Sequence, residues 1–325
     1  MRSHLSILLL VLGACLIPAA AFASCGSATC PIDVESRWEQ RRFSLDITQQ
    51  YLDQNQPRAG TENVSVGFIP SEEDEVRTIN RITQARATWR PNDAWIVTGA
   101  LPYVNRTHEH IRNEEGMPPV LLTWNYEGFG DTEVAASRSV WVGSQGDAEI
   151  RLSAGVKLPT GKTQVPAVDG EQPEPSARPG TGSWDGALGS AARWLVNMPI
   201  PGGGRGSMPV RLGVLGRWNG VGTEDYRVGH EVQAHLGADY PILSSLELLL
   251  QGNVRSRGKD EVGGTSVDSE NTGGTWAYLT PGLRFSVSNM ARIYGLVQIP
   301  VYQRVNGIQI VSNYNVYMGV TRAMF

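Results

Sequence analysis

The residues best placed to do chemistry in this 325-residue chain are few. His108-Glu109-His110 sets two imidazoles two positions apart, so on an extended strand both share a face and could grip a metal. Two nitrogens on a polar connection are more commonly solvated side chains. The other histidines past the leader are His230 and His235. Nucleophilic hydrolysis needs a Ser within hydrogen-bond reach of a His that a third group orients. No Ser stands in a context that nominates it, and no spacing marks paired aspartates beside a His-Asp couple. Cys25 and Cys30 bracket a short Gly-Ser-Ala-Thr stretch, as a disulfide formed in an oxidising compartment would. Without a nearby His they offer too few ligands for a closed metal site. No catalytic residue, metal or cofactor is expected.

Charge is the richer resource. Arg86, Glu149, Arg151, Lys157, Arg211, Arg217, Glu231, His235, Asp239, Glu247 and Arg255 fall at alternate positions of segments whose other positions are apolar. Ala148 to Leu158 shows the pattern plainly: Ile150, Leu152, Ala154 and Val156 alternate with Glu149, Arg151, Ser153 and Lys157. Successive strand side chains point to opposite faces, so each such segment has one apolar and one polar face. Val232 to Tyr240 and Leu246 to Arg255 repeat the arrangement.

A soluble sandwich shows the same alternation, so connection lengths must decide. Strands are expected near 43–52, 79–89, 94–107, 131–142, 147–158, 185–198, 208–218, 229–240, 245–255, 275–286, 291–303 and 313–325. Short links at 90–93, 143–146, 241–244 and 287–290 alternate with long polar ones at 53–78, 108–130, 159–184, 219–228, 256–274 and 304–312. Short turns on one side and long loops on the other are the mark of an outer-membrane barrel. The predicted fold is all-β, a closed antiparallel transmembrane barrel of about 12 strands with short periplasmic turns and long extracellular loops. Strands of about nine to eleven alternating residues also match the span of a tilted strand across the hydrocarbon layer. Tyr51, Trp89, Trp95, Tyr103, Trp141, Trp218, Tyr240, Trp276 and Tyr302 lie near strand ends, where amphipathic rings form interfacial girdles.

Composition agrees. The chain is 41% hydrophobic and 18% charged, with a mean hydropathy of -0.22, values a barrel shares with soluble proteins because only alternate residues meet lipid. A net charge of -4 gives no basic field for nucleic acid. Arg2, the apolar run Leu5 to Leu12 and Ala21-Phe22-Ala23 form a secretory signal covering 1–23. Leu12-Gly13-Ala14-Cys15 offers the alternative of lipidation at Cys15. Residues 24–42 then form a periplasmic segment holding Cys25 and Cys30, and 43–325 the barrel, closing on Phe325, an aromatic terminus suited to recognition by the outer-membrane assembly machinery.

Leu101-Pro102, Leu158-Pro159 and Ile299-Pro300 close alternating runs alike, and proline belongs at strand ends or bulges. With Leu101-Pro102-Tyr103-Val104, Gly128-Phe129-Gly130-Asp131, Leu158-Pro159-Thr160-Gly161 and Gly180-Thr181-Gly182-Ser183-Trp184-Asp185 in order, the sequence from about residue 80 onward resembles the outer-membrane family of MetA-pathway phenol-degradation transporters. The resemblance implies a Gram-negative outer-membrane barrel that moves small, often hydrophobic or aromatic compounds and whose partners are lipid and a small solute. In that setting the inward charges bias which solutes enter, or instead pair across a narrow interior and plug it. The proline- and glycine-rich 159–184 loop either folds into the mouth or stays exposed. A non-conducting structural or assembly barrel is the alternative, and an outer-membrane hydrolase a more distant one.

Overall fold

Alternation with a period of two becomes strand along nearly the whole chain. The computed structural model describes residues 41–68, 73–113, 116–166, 168, 172–200, 204–265 and 270–324. The leader with Cys15, the Cys25–Cys30 pair and Phe325 lie outside these residues. The strands are β1 (Phe43–Ala59), β2 (Glu62–Asn63), β3 (Glu73–Asn92), β4 (Trp95–Arg112), β5 (Val120–Phe129), β6 (Thr132–Val142), β7 (Ala148–Leu158) and β8 (Asp185–Ile200). There follow β9 (Gly204–Asn219), β10 (Tyr226–Arg227), β11 (Glu231–Leu243), β12 (Leu246–Arg257), β13 (Glu261–Val262), β14 (Gly274–Ser286), β15 (Ala291–Val305) and β16 (Ile308–Ala323).

Each long strand pairs antiparallel with its neighbours in sequence, and β1 pairs back onto β16 from Ser44 opposite Ala323 to Ala59 opposite Ile308. That pairing closes the sheet and removes its edges. β5 and β6 share one stave. β4 pairs with β6 over Trp95–Ala100 and with β5 over Tyr103–Arg112, so the barrel has twelve staves. Among the described residues no helix is long and apolar enough to cross a membrane.

The faces divide as the alternation requires. On β12, Leu248, Leu250 and Val254 are 39%, 48% and 46% exposed on the outside, while Gln251, Asn253 and Arg255 are 1–3% exposed on the inside. An apolar exterior around a polar interior is the signature of a barrel made for lipid. The interior is not uniformly polar. Leu249, Tyr294, Leu296 and Tyr317 form one inner cluster, and Leu52, Ile82 and Val104 another.

The strands run longer than the alternation suggested. β3 spans 20 residues and β4 18, and the end of β4 together with the 10 residues of β5 occupies most of the stretch expected to be a 108–130 loop. The reason is a reversal of polarity. On β5, Leu122, Trp124 and Tyr126 are buried inside, whereas Thr123, Asn125 and Glu127 are exposed outside. Above the lipid the outer face meets water, so a strand there hides its apolar side inward. The expected 304–312 loop is also a correction, because β15 ends at Val305 and β16 begins at Ile308. Asn306-Gly307 forms the turn, with Gly307 at a φ of 54°, a left-handed conformation that glycine accepts freely.

Of the aromatics placed near strand ends, Trp89, Trp95, Trp141, Trp218 and Tyr302 are exposed on the outer surface. Trp276 is not. It pairs in register with Arg255, an inward residue, so its ring lies inside at 3% exposure with the guanidinium 5.5 Å from its centroid. Pro300 marks a register shift in β15, Pro159 follows the end of β7, and Pro102 sits where β4 changes partner from β6 to β5.

Candidate functional site

The eleven charged or titratable residues nominated from the sequence all lie on the inner face, and the structure brings most of them together in pairs. Arg211 grips Asp239 with both terminal nitrogens at 2.7 and 3.0 Å. Arg284 bridges Asp239 and Glu247 at 2.8 and 3.0 Å. Arg255 donates from Nε to Glu231 at 2.7 Å, Arg217 pairs with Glu133 at 3.1 Å, and Arg151 with Glu149 at 2.6 Å. Arg86 lies opposite Asp46 in register and donates to Gln84 at 3.4 Å. His235 rests its ring over the space left by Gly213, where a Cβ would come within 2.3 Å of the imidazole. A charge taken out of water needs such a partner, so these charges neutralise one another within a stave, between adjacent staves and, for Arg217 with Glu133, across the interior. Glu133, Arg284 and Asp131 were missing from the sequence-derived set because no period links them to their partners.

Lys157 is the centre of a different arrangement. Its ammonium is fully buried, 2.9 Å from Asp131 and 2.8 Å from Asp185, and it also donates to Ser183 at 3.0 Å and to Thr181. Asp131 in turn accepts from the backbone nitrogens of Gly161 at 2.9 Å and Thr181 at 3.0 Å. The Gly130 nitrogen donates to Pro102 O at 2.8 Å, and Lys162 N to Phe129 O at 2.8 Å. The four short motifs that are separate in sequence therefore meet at one junction, where β5 gives way to β6. Gly161 and Gly180 touch there, since a Cβ on Gly161 would lie 2.7 Å from Gly180 Cα and 2.7 Å from Asp131 N.

From this junction the 159–184 loop turns into the barrel. Val165 packs with Trp124 and Tyr126, with Val168 against them. A short 3-10 helix, Pro175–Ala177, presents Ala177 O to Tyr126 Oη at 2.8 Å and to Arg106 Nη1. Arg178, 3% exposed, donates to Pro173 O at 2.8 Å and pairs with Glu224 at 2.5 Å. Glu224 takes a left-handed φ of 61° to reach it, a conformation that costs a non-glycine residue about 1 kcal/mol. Thr223 N donates to Thr181 O at 3.0 Å, and Tyr226 Oη donates to Asp260 at 2.6 Å. Three loops are thus tied into one cap across the mouth.

Beside the loop lies a cavity of about 620 Å³, between the outer parts of β1, β3, β4, β5 and β16 and residues 172–174, 176 and 177, with residues 65–68 and 270–272 also lining it. His108 and His110 line it, stacked 5.6 Å apart, with Trp124 at 5.5 Å from the first and 4.3 Å from the second. Thr78 Oγ1 contacts His108 Nδ1 at 2.7 Å. The outer face of β4 beside these histidines carries Asn105, Thr107 and Glu109, which places them beyond the lipid belt. Burial, reinforced by His110 and Arg106 nearby, pushes the His108 imidazole down to about 3, so the ring is neutral at physiological pH. On the loop side, burial and the neighbouring Asp260 raise the Glu174 carboxyl above its usual range. No cluster of three or more metal-ligating side chains occurs among the described residues.

No family model matches the chain, and no curated protein matches it. Solved structures do. An outer membrane channel from Pseudomonas putida F1 aligns with 13% identity and a TM-score of 0.62, over 91% of this chain and 100% of that one. The transport unit of the autotransporter AIDA-I from Escherichia coli aligns with 12% identity and a TM-score of 0.52, over 91% and 93%. At such identity the likeness speaks to the fold alone. The chain folds as an outer-membrane β-barrel.

Proposed function

We propose that this barrel is a channel for small molecules, of the kind its motifs' resemblance to the MetA-pathway phenol-degradation transporters implies, with the 159–184 loop as its constriction. The carrying observation is the loop itself. It is folded inward, anchored at Ala177 and Arg178, and borders a cavity of about 620 Å³ that it leaves unfilled. A structural plug would fill that space, because interiors pack to crystal density. The polar side chains below the cavity fit a path for a hydrated or hydrogen-bonding solute.

A second reading, a non-conducting barrel with a structural or assembly role, draws on the low exposure of the inner side chains of β12. Conductance separates the two. Full-length protein inserted in a planar bilayer is expected to open discrete low-conductance steps. Replacing residues 164–178 with a short Gly-Ser link, which keeps Gly161, Gly180 and the Lys157 junction, is expected to raise single-channel conductance several-fold. Electrically silent bilayers with both proteins, despite correct insertion, would sink the channel.

A further inference from the structure

The charges of the interior nearly cancel in total, but they do not cancel along the barrel axis. At the end that carries the short turns, periplasmic in an outer-membrane barrel, Arg86, Arg151, Arg193, Arg211, Arg284 and Arg292 face inward. Asp46, Glu149, Asp239 and Glu247 stand among them. The surplus is positive, and water reaches it. Arg193 keeps 32% of its side chain exposed and lies 3.8 Å from Glu149, which Arg151 already holds at 2.6 Å. It also sits directly opposite Arg211 in register, and like charges so placed repel. The fold keeps positive charge there against that cost.

The other end has the opposite sign. Asp131, Glu133, Asp185 and Glu231 surround Lys157, Arg217 and Arg255. The mouth cavity adds Asp74, Glu75, Glu174 and Glu270 against Arg106 and Arg257. Burial raises the Glu174 carboxyl, and even with that group neutral the carboxylates outnumber the cations. Distance keeps the two zones apart. On β12, Glu247 marks the first zone and Arg255, eight residues on, the second. At ~3.3 Å per residue and a tilt of about 40°, that is roughly 20 Å along the axis. The Debye length is about 10 Å in 0.1 M salt, so neither zone erases the other.

We propose that this pore is an ionic diode. Cations enter most readily from outside through the negative zone, and anions from the periplasm through the positive one. With the extracellular side positive, both are driven in through the zone that favours them and accumulate between the zones. With the polarity reversed, both are drawn out, the middle is depleted and less current passes. The inference rests on the channel reading and adds the charge of solute that each mouth accepts.

The test is single-channel recording from the full-length chain in planar bilayers at equal and opposite voltages. The extracellular chamber is identified by a biotin tag placed after Gly264 in the 256–274 loop, to which fluorescent streptavidin binds from that side alone. In about 0.1 M KCl the current is expected to be about two-fold or more larger with the extracellular side positive. In about 1 M KCl, where the Debye length shrinks to ~3 Å, the two currents should approach parity. Arg151→Gln combined with Arg193→Gln should remove most of the asymmetry and shift ion preference towards cations. Glu75→Gln combined with Glu270→Gln should reduce the asymmetry and shift preference towards anions. Altered packing alone would not move the two variants in opposite directions. Folding of each variant is checked by its heat-dependent gel mobility. Open channels with equal currents at both polarities in 0.1 M salt overturn the diode and spare the channel. So does asymmetry of the opposite sign, or asymmetry undiminished in 1 M salt. Bilayers that stay silent overturn both.

Discussion

At the scale of single residues the molecule is governed by what burial does to charge. Lys157 is buried between Asp131 and Asp185, and removing it would leave two buried carboxylates without their cation, a loss of about 3–5 kcal/mol for a broken pair of this kind. His108 shows the complementary outcome, a titratable ring kept uncharged. In the unfolded chain it takes up a proton below its ordinary value of 6.5, but in the fold not until about 3. Protonation therefore favours opening, and stability rises with pH wherever the open state binds more protons. The contribution of neutral His108 is complete above pH 6.5 and is lost as pH falls towards 3. NMR of ring-labelled protein should find one histidine whose signals stay fixed between pH 8 and about 5, and Thr78→Val should leave that pattern in place. A titration midpoint for His108 near 6.5 would show that the ring is solvated. The sequence singled out this His-x-His pair but could not reveal its state, because Trp124 and Thr78, which enclose it, come from other strands.

At the scale of elements the decisive feature is the point where β5 hands over to β6. Gly161 and Gly180 let two backbones cross in contact beside Asp131, and a Cβ on Gly161 would lie 2.7 Å from three backbone atoms. Gly161→Ala is expected to force the loop off its seat while the staves persist. Limited proteolysis should then cut within the loop many times faster than in wild type, with the heat-dependent gel shift of the barrel unchanged. Equal protection of both proteins would mean that the crossing does not hold the cap. Alternating faces and loop parity made most of the staves legible from sequence, because lipid outside and polar groups inside write a period of two directly into the residues. The same key misread β5, where Trp124 and Tyr126 turn inward once water replaces lipid outside, and Trp276, whose facing depends on its register with Arg255. The 306–307 turn was there to be read, since Asn-Gly between two strands is a strong hairpin signal.

At the scale of the whole barrel, twelve staves enclose an interior between the filled eight-stranded and the open porin-sized cases. Opposite charges in it are paired along the wall, so no single sign dominates. Arg211→Ala would leave Asp239 with Arg284 as its remaining arginine partner and shift the interior towards negative. Reversal potentials under a salt gradient should then move towards cation preference, and an unmoved reversal potential would place Arg211 away from the ion path. The inward charges were predicted from period alone; their partners were not, because pairing reflects three-dimensional neighbours such as Glu133 and Arg217, 84 positions apart. One consequence follows from the pinch at Gly161 and Gly180. A loop tethered through so narrow a stalk can be lengthened, rewritten or exchanged in descent without redesigning the cylinder that carries it, so what occupies the mouth and how the wall stands are free to evolve apart.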